Sequence, residues 1–387
     1  MVNRILLNAA NITGIGAKAV IVGLLPALLE KMQDSEFIVL LPDQEPFTAM
    51  TFPANAQALF IKRRNGWANN FDRVRQLFID VPSIEKRVKA NLVFSLGDLS
   101  PAFSTCARAV YFHTPLLVYS NKESAGMGGW SIFKRFFLTK YFASISQHQN
   151  FIVQTPVMKE RLERRYKVDP DRIDIVSQAV PIHVSGNANK TELLPAIVNC
   201  NKPIRLLFLS AYYSHKNHTI LPAVAEELRR QRLAARVHIF TTLDVMQAAS
   251  AEVRRQIGDN ADVITNLGHL SGGSVAAALR VSTALFLPTL LESFGNIYLE
   301  AMSLGLPILT SDRDFARWIC GDLALFFDPL SAPSIVDSIK SLPARLAHID
   351  EYRAAVQVHL AKFPKDYRET AEKMAIVLYR VMHQVGA

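Results

Sequence analysis

The sequence predicts an α/β protein built from two Rossmann-like, doubly wound parallel-sheet domains. Its 387 residues exceed what one ordinary hydrophobic core accommodates. Half of the residues are hydrophobic and 20% are charged, which is typical of a globular chain and excludes a disordered one. Short apolar runs alternate with longer amphipathic segments throughout, and this alternation is the signature of parallel sheets with crossover helices.

Seven short apolar runs in the first half predict the strands of the first sheet. We expect this domain to span residues 1–185, before a polar stretch that interrupts the alternation. The predicted strands are residues 4–8, 37–41, 58–61, 92–96, 109–112, 151–154 and 173–176.

The second half repeats the pattern after a predicted linker at residues 186–202. A domain at 203–364 follows, and residues 365–387 form a last helix that must dock on structure already made. The predicted strands are residues 204–210, 236–240, 263–264, 283–287, 307–310 and 323–327. The apolar positions of the last helix are Ala371, Met374, Ala375, Leu378, Val381 and Met382.

Charge and cysteine content narrow the function classes. Residues 1–185 hold 22 Lys and Arg against 15 Asp and Glu, whereas residues 186–387 hold 21 against 19. A solvated basic face explains this excess, and the functional alternative is an anionic surface or a phosphorylated substrate. Cys106, Cys200 and Cys320 lack the spacing of a zinc site or a disulfide scaffold. The first residues lack a signal-peptide layout, so we expect a cytoplasmic protein.

The stretch LESFGNIYLE, residues 291–300, joins a strand closed by Pro288 to a helix that stops at Gly305. It places Glu292 before the helix and Glu300 within it. The exposed N–H groups and partial positive charge of a helix N-terminus suit an anion. The stretch therefore predicts an anion site flanked by two carboxylates, against the alternative of a solvated glutamate pair.

This order of strand, loop, E-S-F-G, helix, E-A-M and G-x-P resembles the retaining glycosyltransferases that carry an E-x7-E motif on a GT-B fold. The resemblance implies two domains facing a cleft, with the last helix crossing back to the first domain. It also implies that Glu292 faces the hydroxyls of the donor sugar and that Glu300 bonds the ribose hydroxyls. The donor diphosphate would be held by the backbone around Ser293, Phe294, Gly295 and Asn296.

A second match to this family is LSAYYSHKNH at the end of the strand at 204–210. The family usually reads G-R-L-x-x-x-K-[GN] here, so Lys216 and Asn217 match as donor-binding residues, with Lys216 neutralising the diphosphate. Ala211 occupies the slot of the family's arginine. Three alternatives stay open: Lys216 acts with His215 or another cation, diphosphate binding is weakened, or the chain binds a nucleotide sugar without turnover.

The glycine-rich stretch NITGIGAKA follows the first strand. The family has a loop of this kind near the donor phosphates, which makes Gly14 and Gly16 donor-binding candidates. The same letters satisfy the dinucleotide fingerprint G-x-G-x-x-A, with Asp43 as an acidic partner 27 residues after Gly16. An NAD(P)-dependent Rossmann oxidoreductase is therefore the rival enzyme class, although it leaves the glutamate pair and Lys216 unexplained.

Two further positions match the family. His113, in YFHTP at a strand end, would position the donor, with a purely structural histidine as the alternative. Gly268, in GHLS before a predicted helix at 272–281, would lie at the nucleobase.

The aromatic and basic run at residues 130–142 has two interpretations. It is a core helix with a solvated basic flank, or an interfacial helix on an anionic membrane. Basic residues elsewhere in the same half keep peripheral membrane contact open, at the cytoplasmic face. They are Lys62, Arg63, Arg64, Arg161, Arg164 and Arg165.

Taken together, the resemblance implies transfer of a mannosyl- or glucosyl-type hexosyl group from a UDP- or GDP-sugar, with retention. The acceptor, a saccharide or a lipid-linked molecule, would bind the first domain and the donor the second. Transfer would need no metal and no further cofactor, and no nucleic acid is expected as a partner. A role in bacterial polysaccharide synthesis follows by analogy alone.

Overall fold

The computed structural model describes residues 2–12, 14–62, 67–101, 103–120, 123, 132–180 and 194–384. These residues form two compact units. Unit 1 comprises the described parts of Met1–Val118, Ser131–Ala179 and Pro364–Ala387, and unit 2 those of Tyr119–Trp130 and Val180–Phe363.

Unit 1 contains a seven-stranded parallel sheet with the strand order β3-β2-β1-β4-β5-β6-β7. Each strand overlaps one predicted run. Strand β1, which lies in the interior of the sheet, is buried on both faces, as a parallel sheet covered by helices requires: Ile5 and Leu7 pack on one side and Leu6 on the other. The strands are β1 Asn3–Asn8, β2 Ser35–Pro42, β3 Ala56–Ile61, β4 Leu92–Ser95, β5 Ala107–Tyr111, β6 Asn150–Val153 and β7 Ile173–Ile175.

Helices connect these strands. The clearest local signal is at α5, where Pro156 occupies the first turn and Thr155 Oγ1 accepts from Met158 N at 3.1 Å, as an N-cap does. A π-helical turn at Gln76–Asp80 joins α2 to α3. The helices are α1 Ile15–Lys31, α2 Trp67–Arg75, α3 Val81–Val88, α4 Ile132–Ser146 and α5 Pro156–Tyr166.

Unit 2 contains a six-stranded parallel sheet with the order β10-β9-β8-β11-β12-β13, so the predicted fold class is confirmed. The strands are β8 Ile204–Phe208, β9 Val237–Thr241, β10 Ile264–Asn266, β11 Ala284–Leu287, β12 Ile308–Ser311 and β13 Leu325–Phe327. The helices are α6 Pro195–Val198, α7 Leu221–Arg230, α8 Ala251–Gly258, α9 Gly272–Val281, α10 Asn296–Ser303, α11 Asp314–Cys320, α12 Ala332–Ala347 and α13 Ile349–Leu360.

The last helix, α14 Tyr367–Gln384, returns to unit 1 after the whole of unit 2 and packs on α1. Gly23 of α1 makes this close approach feasible, because a Cβ at that position would lie 2.2 Å from the Tyr367 ring. The six predicted apolar positions of this helix are all buried. The helix therefore completes the hydrophobic core of unit 1, as expected.

The division into units differs from the predicted domains in three respects. Val180 groups with unit 2 and Pro364 with unit 1. The described residues of the segment Tyr119–Trp130 group with unit 2, although they lie within the predicted first domain. Tyr119 Oη donates to Asp314 Oδ1 at 2.8 Å, a contact within unit 2. Residues 186–193 of the predicted linker, residues 130–131 of the aromatic run, and Arg63 and Arg64 lie outside the described residues.

Candidate functional site

The site predicted in unit 2 lies on two loops that follow adjacent strands, β8 and β11. The carboxyl ends of adjacent parallel strands meet at one edge of a sheet, so these loops are neighbours. Backbone contacts join them: Leu290 N donates to the His215 carbonyl at 2.7 Å. Thr289 Oγ1 donates to the same carbonyl at 3.1 Å.

Asn217 ties the loops together with its side chain. It adopts a left-handed backbone conformation with φ of 62° and is buried. Its Nδ2 donates to the Pro288 carbonyl at 3.1 Å and to the Pro329 carbonyl at 2.8 Å. A donor contact by Asn217, which stays a prediction, would have to use atoms other than this nitrogen.

Lys216 and Glu292, 76 positions apart in the chain, form an ion pair at this edge. Their side chains are only 18% and 12% exposed. Thr289 Oγ1 lies a further 3.3 Å from Glu292 Oε1. Truncating one member of a buried pair leaves the other charge uncompensated, which costs far more than losing a surface pair. The structure therefore brings together the two residues that the sequence identified by separate motifs.

His215 does not supply the positive charge that Ala211 lacks. Burial and the neighbouring Lys216 lower the pKa of His215 to about 4, so its imidazole is neutral at pH 7. The ring stacks on Tyr213, with centroids 5.5 Å apart. Among the alternatives raised by the missing arginine, this pKa favours a cation other than His215, and the identity of that cation stays a prediction.

Gly295 begins helix α10 in a conformation that favours glycine. Its φ is 82°, and a Cβ there would lie 2.8 Å from the Tyr298 ring. The next residue, Asn296, has a buried Oδ1 without a hydrogen-bond partner among the described residues. Such an unsatisfied polar atom is costly in a native protein and commonly marks a site filled by water or a ligand.

Ser293 and Phe294, the two residues before Gly295, differ in the groups that they can present to a ligand. Phe294 is a core side chain, packed against Trp318 and Phe363 with ring centroids 6.3 and 6.0 Å away. Only its backbone can then face a ligand. Ser293 is partly exposed.

Glu300 lies in the second turn of α10. Burial raises the pKa of its carboxyl from the usual 4.5 to about 7. A carboxyl poised near neutral pH is common at functional sites, since desolvation there serves binding or proton transfer.

Gly268 follows β10, the outermost strand on one side of the sheet. It therefore lies at the same carboxyl edge as Gly295 but at the far end of that edge. The residue is left-handed, with φ of 78° and no atom within 4 Å of an added Cβ. Strands β10 and β11 are three positions apart in the sheet, about 14 Å at the usual strand spacing. A ligand that reached both Gly268 and Gly295 would lie across the strand ends.

The sequence analysis missed Arg313, which follows β12, the strand next to β11. Its side chain is partly exposed, and its Nε is buried without a hydrogen-bond partner among the described residues. The sequence could not indicate this residue, because Arg313 matches no motif. Its position one strand away from Glu292 depends on the order of the strands in the sheet. Arg313 is thus a candidate for the cation that Ala211 does not provide.

In unit 1, the glycine-rich loop lies between β1 and α1. Gly14 is the N-cap of α1 without a side-chain cap, and Gly16 is in the first turn. A Cβ at either position would have no atom of the described residues within 4 Å. Neither packing nor backbone conformation therefore accounts for glycine at these positions.

His113 follows β5 at the same edge of that sheet. Its backbone N–H donates to Asp98 Oδ1 at 2.5 Å, and that of Thr114 does so at 2.9 Å. Burial lowers the pKa of His113, against the opposing effect of the Asp98 charge, so the imidazole is neutral at pH 7. Arg73 of α2 also interacts electrostatically with Asp98.

The remaining sequence hypotheses have these outcomes. Asp43, the acidic residue of the rival fingerprint, follows β2 and is exposed. Within the described ranges, no three His, Cys, Asp or Glu side chains are placed to hold a metal ion. Metal-independent transfer stays a prediction.

No helix in the described parts of the chain is long and apolar enough to cross a membrane.

Comparison with known protein families gives a match within unit 2 and one similar curated protein. The family model described as "Glycosyl transferases group 1" matches residues 203–344. The D-inositol 3-phosphate glycosyltransferase of Pseudarthrobacter chlorophenolicus is 25% identical over 162 residues, which cover 41% of this chain and 39% of that protein. The aligned region thus spans about two fifths of that relative's length.

Solved structures extend the likeness to nearly the whole chain. Sucrose-phosphate synthase from Thermosynechococcus elongatus has a TM-score of 0.75 at 14% identity, covering 99% of this chain and 100% of its own. Anabaena Alr3699/HepE, solved in complex with UDP and glucose, has a TM-score of 0.70 at 12% identity, covering 98% and 100%. At these identities the likeness establishes the fold.

Proposed function

We propose that the chain is a group 1 glycosyltransferase that moves a hexosyl group from a UDP- or GDP-sugar to a saccharide or lipid-linked acceptor with retention. The family match at residues 203–344 and the GT-B-type fold support this proposal. The observation that carries the proposal is the Lys216–Glu292 ion pair beside Gly295. It places a cation, a carboxylate and a helix N-terminus at one edge of the sheet. These are the groups that a nucleotide sugar's diphosphate and hydroxyls need.

Each residue then has a chemical task. As the glycosidic bond breaks, negative charge develops on the leaving diphosphate, and the Lys216 ammonium offsets it together with the N–H groups near Gly295. Preorganised groups of this kind contribute about 3–4 kcal/mol each to transition-state stabilisation. Glu292 accepts from the sugar hydroxyls while it keeps the Lys216 ammonium in place. An ammonium has three donors, so it can serve both the carboxylate and a phosphate oxygen.

Glu300 would accept hydrogen bonds from the ribose hydroxyls, and the backbone at Gly268 would contact the base. We assign the second cation on the diphosphate to Arg313, since His215 is neutral. His113 and the loop at Gly14 and Gly16 would act from unit 1, as positioning groups for donor and acceptor.

The likeness to Anabaena Alr3699/HepE, solved with UDP and glucose, makes UDP-glucose the first donor to test. The experiment follows transfer and hydrolysis of radiolabelled UDP-glucose and GDP-mannose, with saccharide acceptors and lipid extracts. Product anomers read by NMR test retention. Turnover that is lost in Glu292→Gln supports the proposal.

Two outcomes would favour the rival functions. Tight binding of UDP or GDP without transfer or hydrolysis from either donor would indicate a non-catalytic nucleotide-sugar-binding protein, consistent with Ala211. Thermal stabilisation by NAD or NADP alone would instead favour the oxidoreductase predicted from Gly14, Gly16 and Asp43. A ligand at about a hundred times its Kd stabilises by about 2.7 kcal/mol, which a melting curve resolves.

A further inference from the structure

Unit 1 exposes a stripe of large apolar side chains along α2 and the turn that follows it. Phe71, Val74, Phe78 and Ile79 are 58%, 54%, 39% and 58% exposed. Their spacing places them on one helical face, whereas Leu77, on the other face, is buried. The apolar face of this helix is therefore turned away from the core.

Neighbouring elements extend the stripe. The Phe78 ring contacts Phe103, with centroids 6.1 Å apart, and Tyr141 of α4, at 5.6 Å. Phe103 is 70% exposed, and α4 adds two exposed rings, Phe136 and Phe137. We call the whole set the apolar surface: Phe71, Val74, Phe78, Ile79, Phe103, Phe136 and Phe137.

This clustering is not a scatter of single exposed residues. Five of the six exposed phenylalanines among the described residues belong to the apolar surface. Isolated exposed hydrophobic residues are normal on proteins, whereas a contiguous apolar patch marks an interaction site.

The segments that carry the apolar surface are rich in basic residues. Residues 62–89 and 132–146, which carry six of its seven members, contain 11 Lys and Arg against 3 Asp and Glu, while the whole chain has a net charge of +9. Lys140 Nζ lies 5.7 Å from the centre of the Phe136 ring. Lys86, Arg87 and Lys89 at the end of α3 are exposed. Most of the chain's excess charge is thus carried by the segments that expose the apolar side chains.

We propose that the apolar surface docks on an anionic lipid bilayer. Aromatic rings partition into the boundary between head groups and acyl chains, and lysine and arginine side chains beside them pair with anionic head groups. The two features together match that boundary better than they match a protein partner, because interface cores between proteins are depleted of lysine.

Docking would also present the predicted acceptor edge to the membrane. Arg73, on the same helix as Phe71 and Val74, interacts with Asp98, which accepts from the His113 N–H. One helix therefore connects the apolar surface with the carboxyl edge of the unit 1 sheet. This favours a lipid-linked acceptor over a free saccharide; that choice rests on the proposed function, whereas docking itself does not.

The test is co-sedimentation of the full chain with phosphatidylcholine vesicles that contain 0, 20 or 40% phosphatidylglycerol. We expect binding to rise with the anionic fraction and to fall at least tenfold in the variant Phe71→Ala/Phe103→Ala/Phe137→Ala. The control Met246→Ala/Val358→Ala/Ile376→Ala removes three side chains of comparable exposure, 86%, 73% and 65%, elsewhere on the chain. It should bind within twofold of the unchanged protein.

A second measurement does not depend on a triple variant. In Phe103→Trp, anionic vesicles should shift the tryptophan emission to the blue, relative to the same spectrum of the unchanged protein, and brominated lipids should quench it. Equal vesicle binding by the triple variant and the unchanged protein would overturn the proposal. So would a dimer that the triple variant dissociates, without vesicle binding, since a second copy would then be the occupant.

The two proposals fail separately. Vesicle binding without sugar transfer would leave the docking surface standing and remove the proposed function. Transfer to a water-soluble acceptor without any vesicle binding would do the reverse.

Discussion

The two units differ in how their predicted site residues are held. In unit 2, side chains tie the loops to each other: Lys216 pairs with Glu292, and Asn217 bridges two backbone carbonyls. In unit 1, no atom of the described residues lies within 4 Å of a Cβ added at Gly14 or Gly16. The difference indicates that hydrogen bonds and an ion pair fix the loops of unit 2, whereas the described residues leave open space beside the glycine-rich loop of unit 1.

The largest effect should come from breaking the ion pair in unit 2. We expect Lys216→Met and Glu292→Gln each to slow transfer by about 10²–10³-fold, because each removes a group that acts on the transition state. The double variant should lose less than the sum, since each residue positions the other. Single-turnover kinetics with a radiolabelled donor measures this.

The matched control is Glu252→Gln, which breaks a pair with Arg255 whose side chains are more than 60% exposed. It should leave the rate unchanged. If Lys216→Met and Glu292→Gln also left the rate unchanged, the site assignment would be wrong.

The second effect tests whether unit 2 depends on the conformation of Gly295. Gly295→Ala places a Cβ 2.8 Å from the Tyr298 ring on a left-handed backbone, so we expect a loss of about 1–3 kcal/mol in the free energy of unfolding. Chemical denaturation measures it. Gly258→Ala, where nothing lies within 4 Å, is the control and should not destabilise. An equally stable Gly295→Ala would show that the loop adapts.

The third effect concerns Glu300, whose raised pKa of about 7 means that the folded state favours the protonated carboxyl. Stability from this group is therefore lost as pH rises from about 4.5 to about 7. Glu300→Gln stays neutral, so its stability relative to the unchanged protein should improve by about 3 kcal/mol between pH 4 and pH 8. A flat difference for Glu300→Gln would contradict the assignment.

A fourth and smaller effect tests Arg313. Arg313→Ala should weaken UDP or GDP binding about tenfold by removing a charge-assisted hydrogen bond, without changing the affinity for the nucleoside. Isothermal titration compares the two ligands. Arg317→Ala, which removes an exposed partner of Asp312, is the control. Equal losses for nucleoside and diphosphate would exclude a phosphate contact.

The smallest expected effect on stability comes from a direct comparison of one helical glycine in each unit. Gly16 and Gly273 are both the second residue of a helix, and neither has a neighbour within 4 Å of an added Cβ. Replacing either by alanine should stabilise the protein by about 0.5–1 kcal/mol, because alanine favours the helix. Only Gly16→Ala should slow transfer, if phosphate approaches that backbone. Equal rates for both variants would remove the loop from the site.

The strands were predictable because parallel strands buried on both faces are continuous apolar runs. Every strand of both sheets overlaps a predicted run, as β1 does over residues 4–8. The helix after Gly295 was predictable for a related reason, since a turn residue precedes a run at helical spacing. The resemblance to a glycosyltransferase rested on the same segment and is supported by the family match at residues 203–344.

What the sequence did not reveal depends on which distant segments become neighbours. The pairing of Lys216 with Glu292 requires β8 to lie beside β11, and the neutrality of His215 follows from burial that no local pattern records. The stripe at Phe71, Val74 and Phe78 has the spacing of a core face, so the sequence could not indicate that it faces outward.

The return of α14 to unit 1 has a consequence for biosynthesis. Ala371, Met374 and Leu378 belong to the same hydrophobic cluster as Ile5 and the residues of α1, which leave the ribosome more than 300 residues earlier. Domains generally fold as units during synthesis, but this one has an uncovered core face until the last helix emerges. During most of translation the nascent chain therefore lacks the helix that covers this face, and the core of unit 1 is completed only after unit 2 has been synthesised.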